Sequence, residues 1–527
     1  MKSLHSIPFI FGVTGHRDLR EEDIPKLKES VQSLFVEYQT KYPHTELIVI
    51  SALAEGADML VARVAKELGV TLHVLLPYQE EEYLDSFMDR EGNEEEFRTL
   101  IAYASRVEVN SCVHTHGAES CYQQLGEKIA DDSNILLALW DGVDNGKSGG
   151  TSAIVKYQRT GFEENRFDAL DGNALFIITT PRESNPEVQT DFSIKSECLG
   201  KHVKGEEFDK MLSKIDMLNA KIPSSTEKLG WMELQMHYFE KTARVNQTKF
   251  KNYSKAILIL TGIAIACLEI MHALRLDHFI LGYGLGLLLA FGLYYFFMHK
   301  GDVQDDFVYS RGFAEALRVQ NAWNGAKLGK SVARYYLKDQ HHKFTWIKTA
   351  LKNMTYMDNT PFTPTYDEGD TPKDWINGQI KYFKEDALPK RHKSFERWEF
   401  WEKLFYRLGF GVLVLMFIVS TLELFHIVDH GDLWFNWHIL VLVSGLLLLV
   451  AAFIGEKYVK IEGYEDDIYH FNAMLADFEE AKDALEAVSV DSDEYRKIVY
   501  DLGLKALEEN SKWVVLHDSM RAKPSLD

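Results

Sequence analysis

Four apolar runs, Ala256–Leu274, Phe279–Met298, Leu408–Phe425 and Trp437–Ile454, constrain this chain more than any other feature of its 527 residues. Each is 18 to 20 residues long, and at about 1.5 Å per helical residue each reaches ~27–30 Å, the thickness of the hydrocarbon layer of a bilayer. A helix in a soluble core rarely stays apolar on every face, as these do, so four transmembrane helices are expected. The mean hydropathy of −0.20 conceals them only because the rest of the chain is polar.

Lysine and arginine set the expected orientation. Lys249, Lys251 and Lys255 precede the first run, Lys300 follows the second, Lys403 and Arg407 precede the third, and Lys457 and Lys460 follow the fourth. The loop 275–278 carries one arginine, Arg275, and the loop 426–436 has neither lysine nor arginine. The positive-inside rule then places both termini and the segment 299–407 in the cytoplasm of a four-pass protein. No charged segment followed by an apolar one opens the chain, so no signal peptide is expected. Four cysteines, Cys112, Cys121, Cys198 and Cys267, show no metal-like spacing; reduced thiols and no zinc site are expected. His114-x-His116 and His341-His342 read as surface pairs, and no metal is expected. The net charge of −21 argues against nucleic acid as a partner.

Residues 1–185 alternate short apolar runs with amphipathic stretches. Strands are expected at Ile7–Val13, Leu47–Ile50, Thr71–Leu76, Val107–Val109, Ile135–Trp140 and Ala174–Thr179, with helices at Ile24–Tyr38, Ala57–Leu68, Glu94–Ser105 and Cys121–Ser133. This alternation predicts an α/β, doubly wound, mostly parallel sheet. Residues 186–248 read as a helical connector. A first transmembrane hairpin with cytoplasmic helices is assigned to 249–400 and a second, with C-terminal cytoplasmic helices, to 401–527, giving an all-α membrane domain. "CLEIMH" at 267–272 and "TLELFH" at 421–426 lie near the ends of the first and third runs, 154 residues apart, and Tyr309 and Tyr469 correspond at an offset of 160. The hairpin therefore reads as duplicated. Tyr309, Phe313 and Leu317 share one face of the helix after the second run.

Doubly wound sheets hold ligands beyond the carboxyl ends of their strands, and four such ends carry residues suited to phosphate or ribose. The first ends in Thr14, Gly15, His16 and Arg17, where glycine admits close backbone approach and arginine can fork onto an anion. The second runs into "SALAEGAD", with Ser51, Glu55, Gly56 and Asp58 placed to meet ribose hydroxyls or a base. The fifth ends in "LWDGVDNGKSGGTSAIV", where Asp141, Gly142 and Lys147 precede Gly149, Gly150 and Thr151 at a helix start; amide donors there suit a phosphate. The last ends in "TTPRES", with Thr180 and Arg182. Each alone also fits a structural turn; their shared position argues for a site.

The order "VTGHRDL", "SALAEGAD", "LLALWDG" and "GKSGGT" over residues 5–185 resembles the SLOG superfamily, Rossmann-like domains related to lonely-guy phosphoribohydrolases and DNA-processing protein A. "RGFAEALRVQNAW", "VARYYLKDQ" and "WIKTAL", within 235–490, are similar to SLATT-type membrane effectors of bacterial conflict systems. The resemblance implies a sensor–effector of the bacterial inner membrane. Its SLOG domain would bind a nucleotide-derived second messenger, a cyclic nucleotide or an ADP-ribose derivative supplied by a separate synthase, and switch on a four-span pore or membrane-disrupting part in antiviral defence. No cofactor beyond that ligand is implied. The alternative is a membrane-anchored nucleotide hydrolase or transferase of the lonely-guy type. That enzyme family has a glutamate three residues after its phosphate-loop threonine, where this chain has Ile154. A third reading makes the spans an anchor alone; one hairpin would serve that purpose, so two favour an effector.

Within the spans, Glu269 and Glu423 lie about 15 residues in, where a lipid-facing carboxylate costs on the order of 2–3 kcal/mol. They either snorkel to the interface or form a carboxylate ring in a homo-oligomeric cation pore. Gly282, Gly284 and Gly286 read as helix-packing positions.

Overall fold

The computed structural model describes residues 6–87, 90–110, 118–144, 146–160, 172–199, 205–222, 231–299, 301–337, 344–358, 372–425, 433–490 and 492–519. Cys112, His114, His116, Lys300, His341, His342, His426 and most of the loop 426–436 lie outside the described residues. The chain divides into two compact units, Met1–Met236 with Lys330–Tyr366, and His237–Gly329 with Asp367–Asp527.

The first unit is built on seven strands, β1 (Phe9–Gly15), β2 (Leu47–Ser51), β3 (Thr71–Leu76), β4 (Arg106–Val109), β5 (Ile135–Trp140), β6 (Ala174–Thr179) and β7 (Ile194–Cys198). They lie in the order β4-β3-β2-β1-β5-β6-β7 and all pair in parallel except β7, which is antiparallel to β6. The order reverses between β1 and β5, the position beyond whose carboxyl ends open α/β sheets hold their ligands. Both faces are covered, which is why the central strands read as unbroken apolar runs. On one face Phe9 and Phe11 pack edge-on against Tyr42, Phe35 and Tyr38 at the end of α1 (Ile24–Lys41). On the other, Ile10, Leu136, Leu175 and Ile177 meet Leu125 and Ile129 of α5 (Ala118–Asp132) and Ile154 of α6 (Thr151–Thr160). The remaining helices before α5 are α2 (Ala57–Glu67), α3 (Glu80–Leu84) and α4 (Arg90–Tyr103).

The six expected strands are present, and the stretch read as a helical connector begins instead with β7. Its sequence, IKSEC, lacks an apolar face because it is an edge strand half in solvent. Helix α7 (Gly205–Lys221) follows. Helix α11 (Thr345–Asp358), from the segment between the second and third apolar runs, also belongs to this unit. Cys121, fully buried, is disulfide-bonded, which corrects the expectation of reduced thiols at that position, whereas Cys198 and Cys267 are free. Among the described residues no group of histidine, cysteine and carboxylate side chains could hold a metal.

The second unit is helical: most of α8 (Trp231–Leu274), then α9 (Phe279–Leu293), α10 (Val303–Gly325), α12 (Pro372–Lys381), α13 (Leu388–Leu424), α14 (Leu433–Glu462), α15 (Tyr464–Glu486) and α16 (Asp493–Ser519). Four of its helical stretches, Trp231–His272, Phe279–Phe297, Pro372–Leu424 and Ile439–Glu486, are long and apolar enough to cross a membrane. Leu281, Leu288 and Phe417 are each at least 70% exposed, a surface compatible with lipid rather than water. Glycine lets these helices approach: a Cβ on Gly286 would sit 3.1 Å from Ala264, on Gly282 2.8 Å from the Cys267 sulfur, and on Gly409 2.9 Å from the Gly445 carbonyl. Gly284, by contrast, faces open space, so the packing role holds for two of the three glycines named. The equivalent tyrosines of the two hairpins differ: Tyr309 donates to Asp518 at 2.9 Å, whereas Tyr469 is 73% exposed. Phe313 and Leu317 are fully buried on the expected face.

Candidate functional site

The turn after β1 is held from three sides. Gly15 closes the strand where α2 comes closest: a Cβ there would lie 2.3 Å from that of Ala57 and 3.1 Å from that of Leu139. Gly56, at φ +78°, has the same function from the opposite direction, since a Cβ would come within 2.4 Å of the Arg17 carbonyl. The Ala57 N–H donates to the His16 carbonyl at 3.0 Å. Both glycines therefore serve close approach between chain segments, and the β1 turn and the start of α2 form one rigid piece. Leu53 stores backbone strain beside it at φ +53°, its N–H donating to the Ser51 hydroxyl at 3.0 Å.

His16 is buried, with a protein group facing each ring nitrogen. Nε2 accepts from the Asp141 N–H at 3.0 Å and lies 3.0 Å from Oδ1 of the same residue, while Arg182 Nη1 lies 3.4 Å from Nδ1. Burial, aided by the Arg182 charge, outweighs Asp141 and holds the imidazole below its usual pKa, so it is neutral near pH 7. Burial acts to raise the Asp141 carboxyl, but donations from the Asn185 amide and the Val143 N–H, together with His16, keep it below the usual range. Arg182 donates in turn to Asp18, whose carboxylate also accepts from the Ser184 hydroxyl at 2.7 Å. Isolated bridges Leu19–Arg182 and Arg182–Asn185 complete this join between the β1 and β6 loops.

Arg17 points the other way. It donates to the Ser86 carbonyl at 3.3 Å and lies 5.4 Å over the Tyr122 ring, beside buried Tyr83 and within the field of Glu55 and Asp58. Glu55 is buried and accepts from Asn93 at 3.0 Å. Burial pushes the Asp58 carboxyl up to about 7 against the opposing effects of Arg17 and of the Ala54 and Ala52 amides, which donate to it. Tyr78 meets Tyr122 edge-on at 5.6 Å.

The loop after β5 is different in kind. Gly142, Lys147 and Ser148 are exposed, Gly142 at φ +85°, and Gly149 presses on α5, where a Cβ would stand 2.9 Å from the Tyr122 Cβ. Gly150 begins the first turn of α6, its carbonyl accepting from Ala153 and Ile154, and Thr151 is buried behind it. Thr180 is wholly buried, with its hydroxyl donating to the Ile178 carbonyl at 2.8 Å. Thr14 is half-buried within β1, paired with Ala138.

The structure thus joins the β1, β5 and β6 loops through His16, Asp141 and Arg182, and sets Arg17, Glu55 and Asp58 in an adjoining cluster. It leaves Gly142 and Lys147 at the rim and turns Thr180 inward. Sequence reasoning missed Asp18, Ser184 and Asn185, although the first two lie within quoted motifs and the third adjoins one. It also missed Tyr78, Tyr83 and Tyr122, for which no spacing gave a signal. Glu269 and Glu423 are half-buried near the ends of α8 and α13. No family model matches the chain, and no curated protein matches it.

Proposed function

We propose that the first unit is a Rossmann-like, SLOG-type sensor that binds a nucleotide-derived messenger beyond the carboxyl ends of β1 and β5, and that the four-span unit is the effector it controls. The observation that carries this reading is the strand-order reversal between β1 and β5. The β1 turn, locked by Gly15 and Gly56, is set beside a strand-end loop open to solvent, 146–150, leading into the N-terminus of α6. An anion at Gly149 and Gly150 would have Arg17 and Tyr122 on its flank, since Gly149 packs on Tyr122 and Arg17 covers that ring. Binding is favoured over catalysis because His16, the histidine of this cluster, is buried against the Asp141 N–H and the Arg182 guanidinium. In this reading the protein is a homo-oligomer of the bacterial inner membrane with both termini cytoplasmic. A separate enzyme makes the messenger, and Glu269 and Glu423 line the outer mouth of a cation pore.

A thermal-shift screen of the solubilised full-length protein tests it, with cyclic dinucleotides and trinucleotides, cyclic ADP-ribose isomers, ADP-ribose and AMP. One cyclic compound is expected to raise the unfolding midpoint of the parent but not of Gly150→Trp, to be recovered intact, and to trigger ion release from vesicles carrying the parent. Equal shifts in both proteins, or none, would overturn the assigned site; consumption of the compound would make the protein an enzyme.

A further inference from the structure

Helices α10, α12, α15 and α16 of the second unit enclose a cavity that the reading above does not use. One side of it is apolar and mostly aromatic. Trp375 stands edge-on to Phe478 at 5.1 Å, Phe383 tilts over both Phe471 and Phe478, and Met474 lies one turn before Phe478 on α15. Phe383 reaches the cavity from a π-helical turn, Tyr382–Ala387, between α12 and α13. Such turns recur at functional sites.

The other side is charged, and two of its charges are left open by the protein. Glu315 pairs with Arg318 and Asp467 with Arg391, so these carboxylates are already answered. The Arg311 guanidinium instead lies over the Trp513 ring, 4.2 Å from its centre, and forms no ion pair among the described residues. A guanidinium held over a ring keeps its in-plane N–H donors for an anion. Among the described residues Glu509 meets only the His470 ring, at 3.0 Å, and keeps acceptor capacity for a cation. The two open charges are close: Trp513, beneath Arg311, follows Glu509 by four residues on α16, about 6 Å along one helix face. An acid alone would leave Glu509 open, and an amine alone would leave Arg311 so. A molecule that carries both, one carbon apart, with an apolar third substituent, matches the two charges and the aromatic side together.

We propose that this cavity binds a free α-amino acid with an aromatic side chain, its carboxylate on Arg311, its ammonium on Glu509 and its ring among Phe383, Met474 and Phe478. Because α10 and α15 follow the second and fourth spans in the chain, such an occupant would bridge the helical extensions of the two hairpins.

L-Phenylalanine is the probe, titrated onto the full-length protein in phosphatidylcholine nanodiscs at pH 7.5 and read by saturation-transfer NMR against empty discs. Phenethylamine, which lacks the acid, and 3-phenylpropionate, which lacks the amine, serve as its two halves. Each half is expected to bind about tenfold more weakly than phenylalanine, and glycine, without the ring, to stay at the empty-disc level. Arg311→Met should weaken phenylalanine about tenfold and leave phenethylamine unchanged, whereas Glu509→Gln should weaken phenylalanine by a similar factor and leave 3-phenylpropionate unchanged. This crossed pattern is one that a general loosening of the helices would not give, and a retained thermal midpoint identifies the variants that fold. Met474→Trp, which fills the apolar side, should return phenylalanine to the empty-disc level. Phenylalanine at background with the parent, either half binding as tightly as the whole, or a folded charge variant that weakens both halves alike would each overturn the proposal.

Discussion

The two ends of the parallel sheet bury polar groups by opposite means. At the carboxyl end the partners come from strand-end loops: His16, Asp141, Arg182 and Asp18 satisfy one another, and the loop beyond Asp141 remains in solvent. At the amino end the partners come from a helix far along the chain. Asn353 of α11 donates to the Pro8 carbonyl at 2.7 Å and exchanges hydrogen bonds with Asn134 at 2.9 Å, and both asparagines are fully buried. Lys352 donates to the Ser133 carbonyl, Tyr356 stacks on His73, and Asn219 of α7 bridges Ile7 and Thr45. One end is therefore sealed by a segment that lies between two apolar runs in sequence, and the other leaves the loop after β5 in solvent.

The sharpest way to break this contrast is Asn353→Leu. The variant strands the Pro8 carbonyl and the Asn134 amide in a site without water, at about 1–3 kcal/mol each. We expect a loss of about 3 kcal/mol, read in the full-length protein as roughly a hundredfold faster hydrogen exchange at the β1 and β5 amides. A change below threefold would show that α11 does not seal the sheet.

One buried group at each end, His73 and Asp58, responds to pH with opposite sign. Burial, with the Arg106 charge nearby, pushes His73 at the amino end down to about 3, well below its unfolded value of about 6.5. As pH falls below about 6.5 the unfolded chain takes up a proton that the folded one refuses, so stability drops by about 2 kcal/mol between pH 7 and 5. Asp58 at the carboxyl end does the reverse. With a folded value of about 7, above that of the unfolded chain, it takes up its proton on folding between those pH values, and its contribution improves on acidification by a similar amount. The wild type is expected to show little net slope from these two groups. His73→Leu should make the protein gain stability from pH 7 to 5, and Asp58→Asn should make it lose stability over the same interval, as measured by urea unfolding. Slopes of the same sign in both variants would refute the assignment.

These ends also differ in how far they could be read beforehand. β1, β2, β5 and β6 were legible because a strand covered on both faces is an unbroken apolar run, and the residues of the β1, β5 and β6 loops were legible because short polar motifs follow those runs directly. What the motifs could not convey was what each residue faces: Gly15 reads as room for a ligand and Gly56 as a ribose or base contact, yet they meet Ala57 and the Arg17 backbone. Thr180 faces the core for the same reason, since a one-residue change of register reverses a strand's faces. β7 was missed because an edge strand has no apolar signature. The amino end was not legible at all: nothing in "WIKTALKNMTY" states that Lys352, Asn353 and Tyr356 satisfy groups more than two hundred residues away.

The smallest expected effect lies at the carboxyl end and sharpens the contrast most narrowly. Ser184 is exposed, and its hydroxyl donates to Asp18 at 2.7 Å, a shorter contact than any the Asn134 amide makes with Asn353. Distance alone would rank it above them. Solvent access ranks it below, because water can take the place of a lost hydroxyl at Asp18, whereas no water reaches Asn134. Burial acts to raise the Asp18 carboxyl, and Ser184 with Arg182 keeps it below its usual range, so Ser184→Ala should move its titration upward in a carboxyl-resolved NMR experiment. The same variant should cost no more than about 0.5 kcal/mol in urea unfolding. A cost near that of Asn353→Leu would mean that the β6 loop is as dry as the α11 contact, and the proposed opening at this end of the sheet would have to be given up.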